Sequence, residues 1–293
     1  MVGSIERIEQ DIVALNQATQ AMAEAFYNAY SAYLSVLGTS VRQQIILASY
    51  HVCTQGYPEA FLQLSYSQRH HLQQMLRHLA QQVQEEILAQ LHMPVVFEET
   101  LEDAEREPLS LEPAAPATDA PDALEPVPIA TTQATTQPLT PMHLARWREE
   151  LEHAIVAELR TASHAANRLL QQAGILPQKL PEPVLEAATK AEIPEARAGT
   201  PNLLNLLIET RSGNAAAAEA PDDTQEPSVM HIVAIYLRLT EIEFADPTIA
   251  AARSKIRSLF AQLKTLGREY QKRQHERSIA AAQAAWRSSW TEE

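Results

Sequence analysis

The sequence predicts an all-α protein, and three observations carry that prediction. The chain holds only 7 Gly and 5% aromatic residues, with abundant Ala, Leu, Gln and Glu, a composition that favours helix over sheet. Apolar residues recur three and four apart over long stretches, the spacing of one helix face. Runs of β-branched residues with period-two alternation are missing, so strands have little support. The expected architecture is an N-terminal three-helix bundle, a disordered acidic Pro-rich linker, and a C-terminal helical hairpin or bundle with a long terminal helix.

Residues 1–97 read as the first helical unit. Ile5, Ile8, Ile12, Leu15, Thr19, Met22, Phe26, Ala29 and Tyr33 share one face of a helix over 4–37. Gly38 is expected to break it, with Ser40 capping a second helix that carries Val41, Ile45, Ile46 and Val52 and ends near Gly56. Tyr57-Pro58 opens a short turn with Phe61, Leu62 and Leu64. Ser65 with Gln68 fits a capping box for a third helix carrying Leu72, Leu76, Leu79, Val83, Ile87 and Leu91, stopped by Pro94. Three amphipathic helices in this length can close a small bundle.

Residues 98–140 differ in kind. Nine of the 18 prolines lie between Pro94 and Pro141, and 10 acidic residues face 1 basic one. Such a segment cannot bury enough apolar surface to offset its ordering entropy, which predicts a disordered linker. Thr140-Pro141 then reads as N-cap and first position of an amphipathic helix over 141–174, with Gly174 at the C-terminal cap. Residues 175–227 are broken by seven prolines and leave room for two short helices, 183–191 and 202–209. The last unit, 228–293, is expected to be a helical hairpin: Ser228 caps a helix to Phe244, and Asp246-Pro247 restarts the chain as the long terminal helix.

That terminal helix carries two stripes. Ile249, Ala252, Ile256, Leu259, Leu263, Leu266 and Tyr270 form an apolar seam of coiled-coil character, which Arg273 and Arg277 then interrupt. Arg253, Arg257, Lys264, Arg268 and Lys272 fall in a sector of about 100° on the opposite side. A one-sign row is a surface for nucleic-acid phosphates, anionic lipid or an acidic protein, the chain's own linker included. Past Lys272 the outward side turns to Ile279, Ala282, Trp286 and Trp290, and large aromatics near an exposed terminus anchor in something: a protein partner or second copy, the chain's own N-terminal bundle, or a membrane or nucleic acid. A second candidate is Leu203-Leu204-Asn205-Leu206-Leu207-Ile208, whose Leu-x-x-Leu-Leu spacing suits a short helix docking in an apolar groove, on this chain or on another. Leu203, Leu206 and Leu207 would carry that contact. Six of the eight tyrosines lie in the first unit, with Tyr33 on the core face and Tyr27 and Tyr30 flanking it.

Chemistry finds little support. Glu149, Glu150 and His153 supply one Glu-x-x-His where di-iron bundles need two, and they read as a solvated face. His70, His71 and His78 have no acidic residue among them and fall short of a tetrahedral ligand set. His51 and Cys53 lie two apart and point to different sides of a helix. The lone Cys53 excludes an internal disulfide and a cysteine-cluster metal site. No Gly-rich phosphate loop or nucleophile elbow occurs. No enzyme activity, catalytic residue, metal or cofactor is therefore expected. With no signal-peptide pattern and no apolar run of the ~20 residues a bilayer requires, a cytoplasmic location follows.

Gln43-Gln44-Ile45-Ile46-Leu47-Ala48-Ser49-Tyr50, Pro201-Asn202-Leu203-Leu204-Asn205-Leu206-Leu207 and Trp286-Arg287-Ser288-Ser289-Trp290 together resemble a set of uncharacterised helical proteins of cyanobacteria. The resemblance spans both helical regions and implies no activity, cofactor or catalytic residue. The expected function is a non-enzymatic adaptor or scaffold, with a protein partner or self-association through Leu203, Leu206, Leu207, Trp286 and Trp290. The alternative is a nucleic-acid-associated regulator that uses the basic row.

Overall fold

A computed structural model describes residues 2–94, 138–177, 201–210 and 228–290. The linker up to residue 137 and the short helix expected over 183–191 lie outside the described residues. The fold is all-α, organised on two long helices, α1 (Val2–His51) and α6 (Pro247–Trp290). Between them come α2 (Pro58–Gln63), α3 (Tyr66–Ala89), α4 (Pro141–Gln172) and α5 (Leu239–Ala245). A two-stranded antiparallel ladder, β1 (Leu203–Thr210) with β2 (Ser228–Ile235), interrupts the helical order.

Gly38 does not break the first helix. α1 passes through it and runs 50 residues, about 75 Å. The glycine serves packing instead: a Cβ there would sit 3.2 Å from Gln84 Cγ and 3.3 Å from the Gln84 carbonyl oxygen, so its absence lets α3 approach. The helix ends in a π turn, Val52–Gly56, closed by Tyr57 N donating to Val52 O at 2.9 Å. Three of the expected N-caps are present, whereas Ser40 lies inside α1 and Ser228 opens β2, so neither caps a helix. Ser65 and Gln68 form the reciprocal box, Thr140 Oγ1 accepts from His143 N, and Asp246 Oδ1 accepts from Thr248 N at 2.8 Å. Gly174 takes φ +76°, a left-handed value that suits glycine at the end of α4.

The core is continuous across the chain. Phe26, Leu37 and Ile45 of α1, Leu76 and Ile87 of α3, Leu151 and Ile155 of α4, and Ile249, Ile256 and Leu263 of α6 belong to one buried cluster. α6 lies antiparallel on α1: Arg253 stands over the Tyr33 ring, and twenty residues on Arg273 Nε is 3.4 Å from Asp11 Oδ2. The seam of the last helix is therefore covered chiefly by the first helix, where the sequence suggested a hairpin partner just before it.

Two predicted helices prove to be strands. Residues 203–210 pair with 228–235, from Leu203 opposite Ile235 to Thr210 opposite Ser228, and helix resumes only at Leu239. Period two is missing from β2 because Ile232, Val233, Ala234 and Ile235 are all buried, as in strands covered on both faces. Side chains from the helical layer bond along the C-terminal part of the outer edge of β2 and just beyond it. Tyr57 Oη accepts from Val233 N, Asn167 bonds both N and O of Ile235, and Ser163 Oγ accepts from Leu237 N. Gly56 permits the close approach, since its Cβ would lie 3.3 Å from Val233 Cβ. Asn202 anchors the start of β1. Its φ of +61° is one that asparagine tolerates, and it bonds Glu241, Gln44, Arg238 and Tyr236.

Candidate functional site

Of the five predicted basic residues on α6, four lie outward and one does not. Arg257, Lys264, Arg268 and Lys272 are exposed and make no ion pair with a described residue. Lys264 Nζ lies 4.6 Å from the Phe260 ring centroid, and Arg268 Nε donates to the Lys264 carbonyl. Arg253 turns inward, and its guanidinium binds both carboxylate oxygens of Glu152, with Nη2 to Oε2 at 2.7 Å. Its Nε is 3.3 Å from Glu243 Oε1. It leaves the outward row because two buried-side carboxylates, from α4 and α5, lie within reach.

This junction is a polar node that the sequence did not reveal. Tyr30 Oη donates to Glu152 Oε1 at 2.5 Å, and Tyr33 Oη donates to Glu243 Oε1 at 2.6 Å. Both tyrosines are fully buried, so Tyr30 belongs to the core that it was expected to flank. Trp147 meets Tyr30 edge-on at 5.7 Å between ring centroids, and Arg148 stacks over Phe260 at 3.9 Å. Burial raises both phenol pKa values, with the neighbouring carboxylates adding to it. Burial also opposes ionisation of Glu152. Hydrogen bonds from Arg253 and Tyr30 outweigh it and hold the carboxyl below its usual range. Burial likewise disfavours the Arg253 cation, but Glu152 dominates and keeps it charged. Every acid in the node faces a donor. The node joins α1, α4, α5 and α6 and presents no unused nucleophile or base. Tyr30 and Tyr33, three apart beside a charged face of α4, were the visible signal.

The chemical candidates remain dispersed. Glu150 pairs with Arg146 at 3.0 Å, and His70 stacks on Tyr66 and accepts from Gln74. Among the described residues no three His, Cys, Asp or Glu are placed to hold a metal ion. No helix among them is long and apolar enough to cross a membrane. Cys53 is a buried free thiol, which burial pushes up to about 11.

The leucine-rich segment is a strand, and its first residues dock on this chain. Leu203 packs against the core and Leu204 is buried; the side chains of Leu206 and Leu207 lie outside the described residues.

The distal end of α6 leaves a pair of large aromatic side chains uncovered. Arg273 lies opposite Asp11, so the antiparallel helix α1 ends about nine residues further along. Every residue from Ala281 to Trp290 is exposed. Trp286 and Trp290 are 66% and 72% exposed, with ring centroids 5.4 Å apart and planes tilted by 33°. Ile279 is 45% exposed beside them. Comparison with protein-family models, curated proteins and solved structures gives no match.

Proposed function

We propose that this protein is a non-enzymatic adaptor that engages a protein partner through the projecting end of α6. The observation that carries the reading is the Trp286–Trp290 pair. Two large indoles stand together in water on a helix whose folding does not use them. Tryptophan is the residue type most enriched where interfaces concentrate their binding energy. An anchored pair would bury apolar area at low conformational cost, while Ile279 and Ala282 widen the contact. A second copy of the chain is one such partner, and then the oligomeric state would depend on the same two residues. The buried free thiol of Cys53 supports a reducing, cytoplasmic setting.

A second reading has its own observation: Arg257, Lys264, Arg268 and Lys272 form an exposed row without acidic partners among the described residues. Such a row favours nucleic acid, and its binding would fall steeply with salt as counterions return to the phosphates. Pull-down from native cells by the intact chain and by a Trp286→Ala, Trp290→Ala variant, each at low and high salt, tests both readings. The adaptor reading expects partners that survive salt and are lost from the variant. Nucleic-acid capture that the variant retains and salt abolishes would favour the second.

A further inference from the structure

A cleft of about 310 Å³ opens between α1, the π turn, α2 and α3. Its floor is Cys53, Leu72 and Leu76, all buried, with Phe61 at one side. Ile46 and Tyr50 stand at its mouth, 40% and 58% exposed. Two of the three hydroxyls that line it are turned away from any guest: Ser49 Oγ donates to Ile45 O and Thr54 Oγ1 to Tyr50 O, each at 2.7 Å. Burial pushes the Cys53 thiol up to about 11, a second sign that the floor is apolar. The remaining polar side chains of the lining are Tyr50 at the mouth, Gln73 and Arg77, and Arg77 makes no ion pair with a described residue.

The charge around this cleft is unlike the rest of the chain. The protein carries a net −14, yet Glu59 is the only acidic residue between Glu24 and Glu85, a stretch that holds Arg42, Arg69 and Arg77. Arg69 is already engaged, donating to Leu62 O and lying over the Phe61 ring. That leaves Arg77 as the cation available at the mouth. The volume lies at the lower end of small-molecule sites, roughly 300–1,000 Å³, which suits a compact ligand better than the face of a partner helix.

We propose that this cleft binds a small monoanionic amphiphile, an alkyl or aryl carboxylate, with its tail on Cys53, Leu72 and Leu76 and its carboxylate at Arg77. The tail replaces water against a floor that offers it no hydrogen bonds. The head meets a guanidinium, whose fork matches a carboxylate, in a lining that holds no acidic residue. This site is separate from the tryptophan surface and does not depend on the adaptor reading.

The test is calorimetric titration of the intact chain with decanoate and with decanol, both below their aggregation limits. The expected result is saturable binding of one decanoate per chain, tighter than decanol. Arg77→Gln, at an exposed position, should weaken decanoate about fivefold, the upper range for a solvent-exposed ion pair, and leave decanol unchanged. Ile46→Glu, also exposed, should weaken both ligands by placing a charge at the mouth. Thermal unfolding of each variant close to that of the native chain establishes that the fold is intact. Absence of saturable binding overturns the proposal. So does equal affinity for the two ligands, or decanoate binding that either variant leaves unchanged.

Discussion

The two halves of α6 have the same helical backbone and opposite surroundings. In the proximal half Ile249, Ile256 and Leu263 of the seam are buried, with Ala252 and Leu259 packed against the same core, and Arg253 is drawn into a node with Glu152, Glu243, Tyr30 and Tyr33. From Ala281 to Trp290 every residue is exposed, the two tryptophans included. The boundary is set by reach. α1 and α6 run antiparallel, Asp11 meets Arg273, and α1 then ends before α6 does. One helix therefore divides into a part that holds the fold and a part that the fold does not need. Residue type alone does not separate them, because arginine is structural at 253 and tryptophan is dispensable for packing at 286.

This contrast can be broken most forcefully in the proximal half. Ile256→Ala removes a side chain only 1% exposed and should cost about 2–5 kcal/mol of stability, the range for cavity-forming core truncations. Chemical denaturation measures it. Arg253→Ala leaves the Glu243 carboxylate without its cation and Glu152 with only Arg148, 3.7 Å away, and should cost about 2–4 kcal/mol,. If that variant unfolds within 1 kcal/mol of the native chain, the node is not a lock between helices.

A smaller effect sharpens the account of the α3–α4 contact. Glu158 has a buried carboxyl oxygen without a hydrogen-bond partner, and burial, followed by the adjacent Glu86 carboxylate, pushes it up to about 7. A carboxyl raised in the folded state favours folding while it is protonated. That contribution is present at pH 4 and is lost as pH rises from its ordinary value of 4.5 through about 7,. Glu158→Gln should flatten this part of the stability–pH curve and stabilise the protein at pH 8 by about 1 kcal/mol, a figure kept low because the side chain is only partly buried,. A curve of unchanged slope in the variant would assign the pH dependence elsewhere.

What was legible in the sequence follows the same division. The caps at Ser65, Thr140 and Asp246 were readable because a cap is a local contract between residues three or fewer apart. The apolar seams were readable from their period. Gly38 was misread as a break, because a glycine that admits a neighbouring helix looks the same in sequence as one that ends a helix. The strands were missed because β2 is buried on both faces and shows no alternation. Tyr57, Ser163 and Asn167 bond along its edge from 68 to 176 positions away. The node was hidden for the same reason, since Tyr30, Glu152 and Arg253 are joined only by the fold. Trp286 and Trp290 could be singled out from sequence alone, as they need no tertiary contact to stand out.

The smallest expected change in stability is at that distal end, and it is the most telling. The Trp286→Ala, Trp290→Ala variant should unfold within about 0.5 kcal/mol of the native chain, as exposed substitutions do. Quantitative pull-down with this stability-matched pair is the most direct test of the adaptor account. The account predicts that the salt-resistant protein partners of the native chain are lost from the variant. Recovery of the same partners in the same amounts would contradict it.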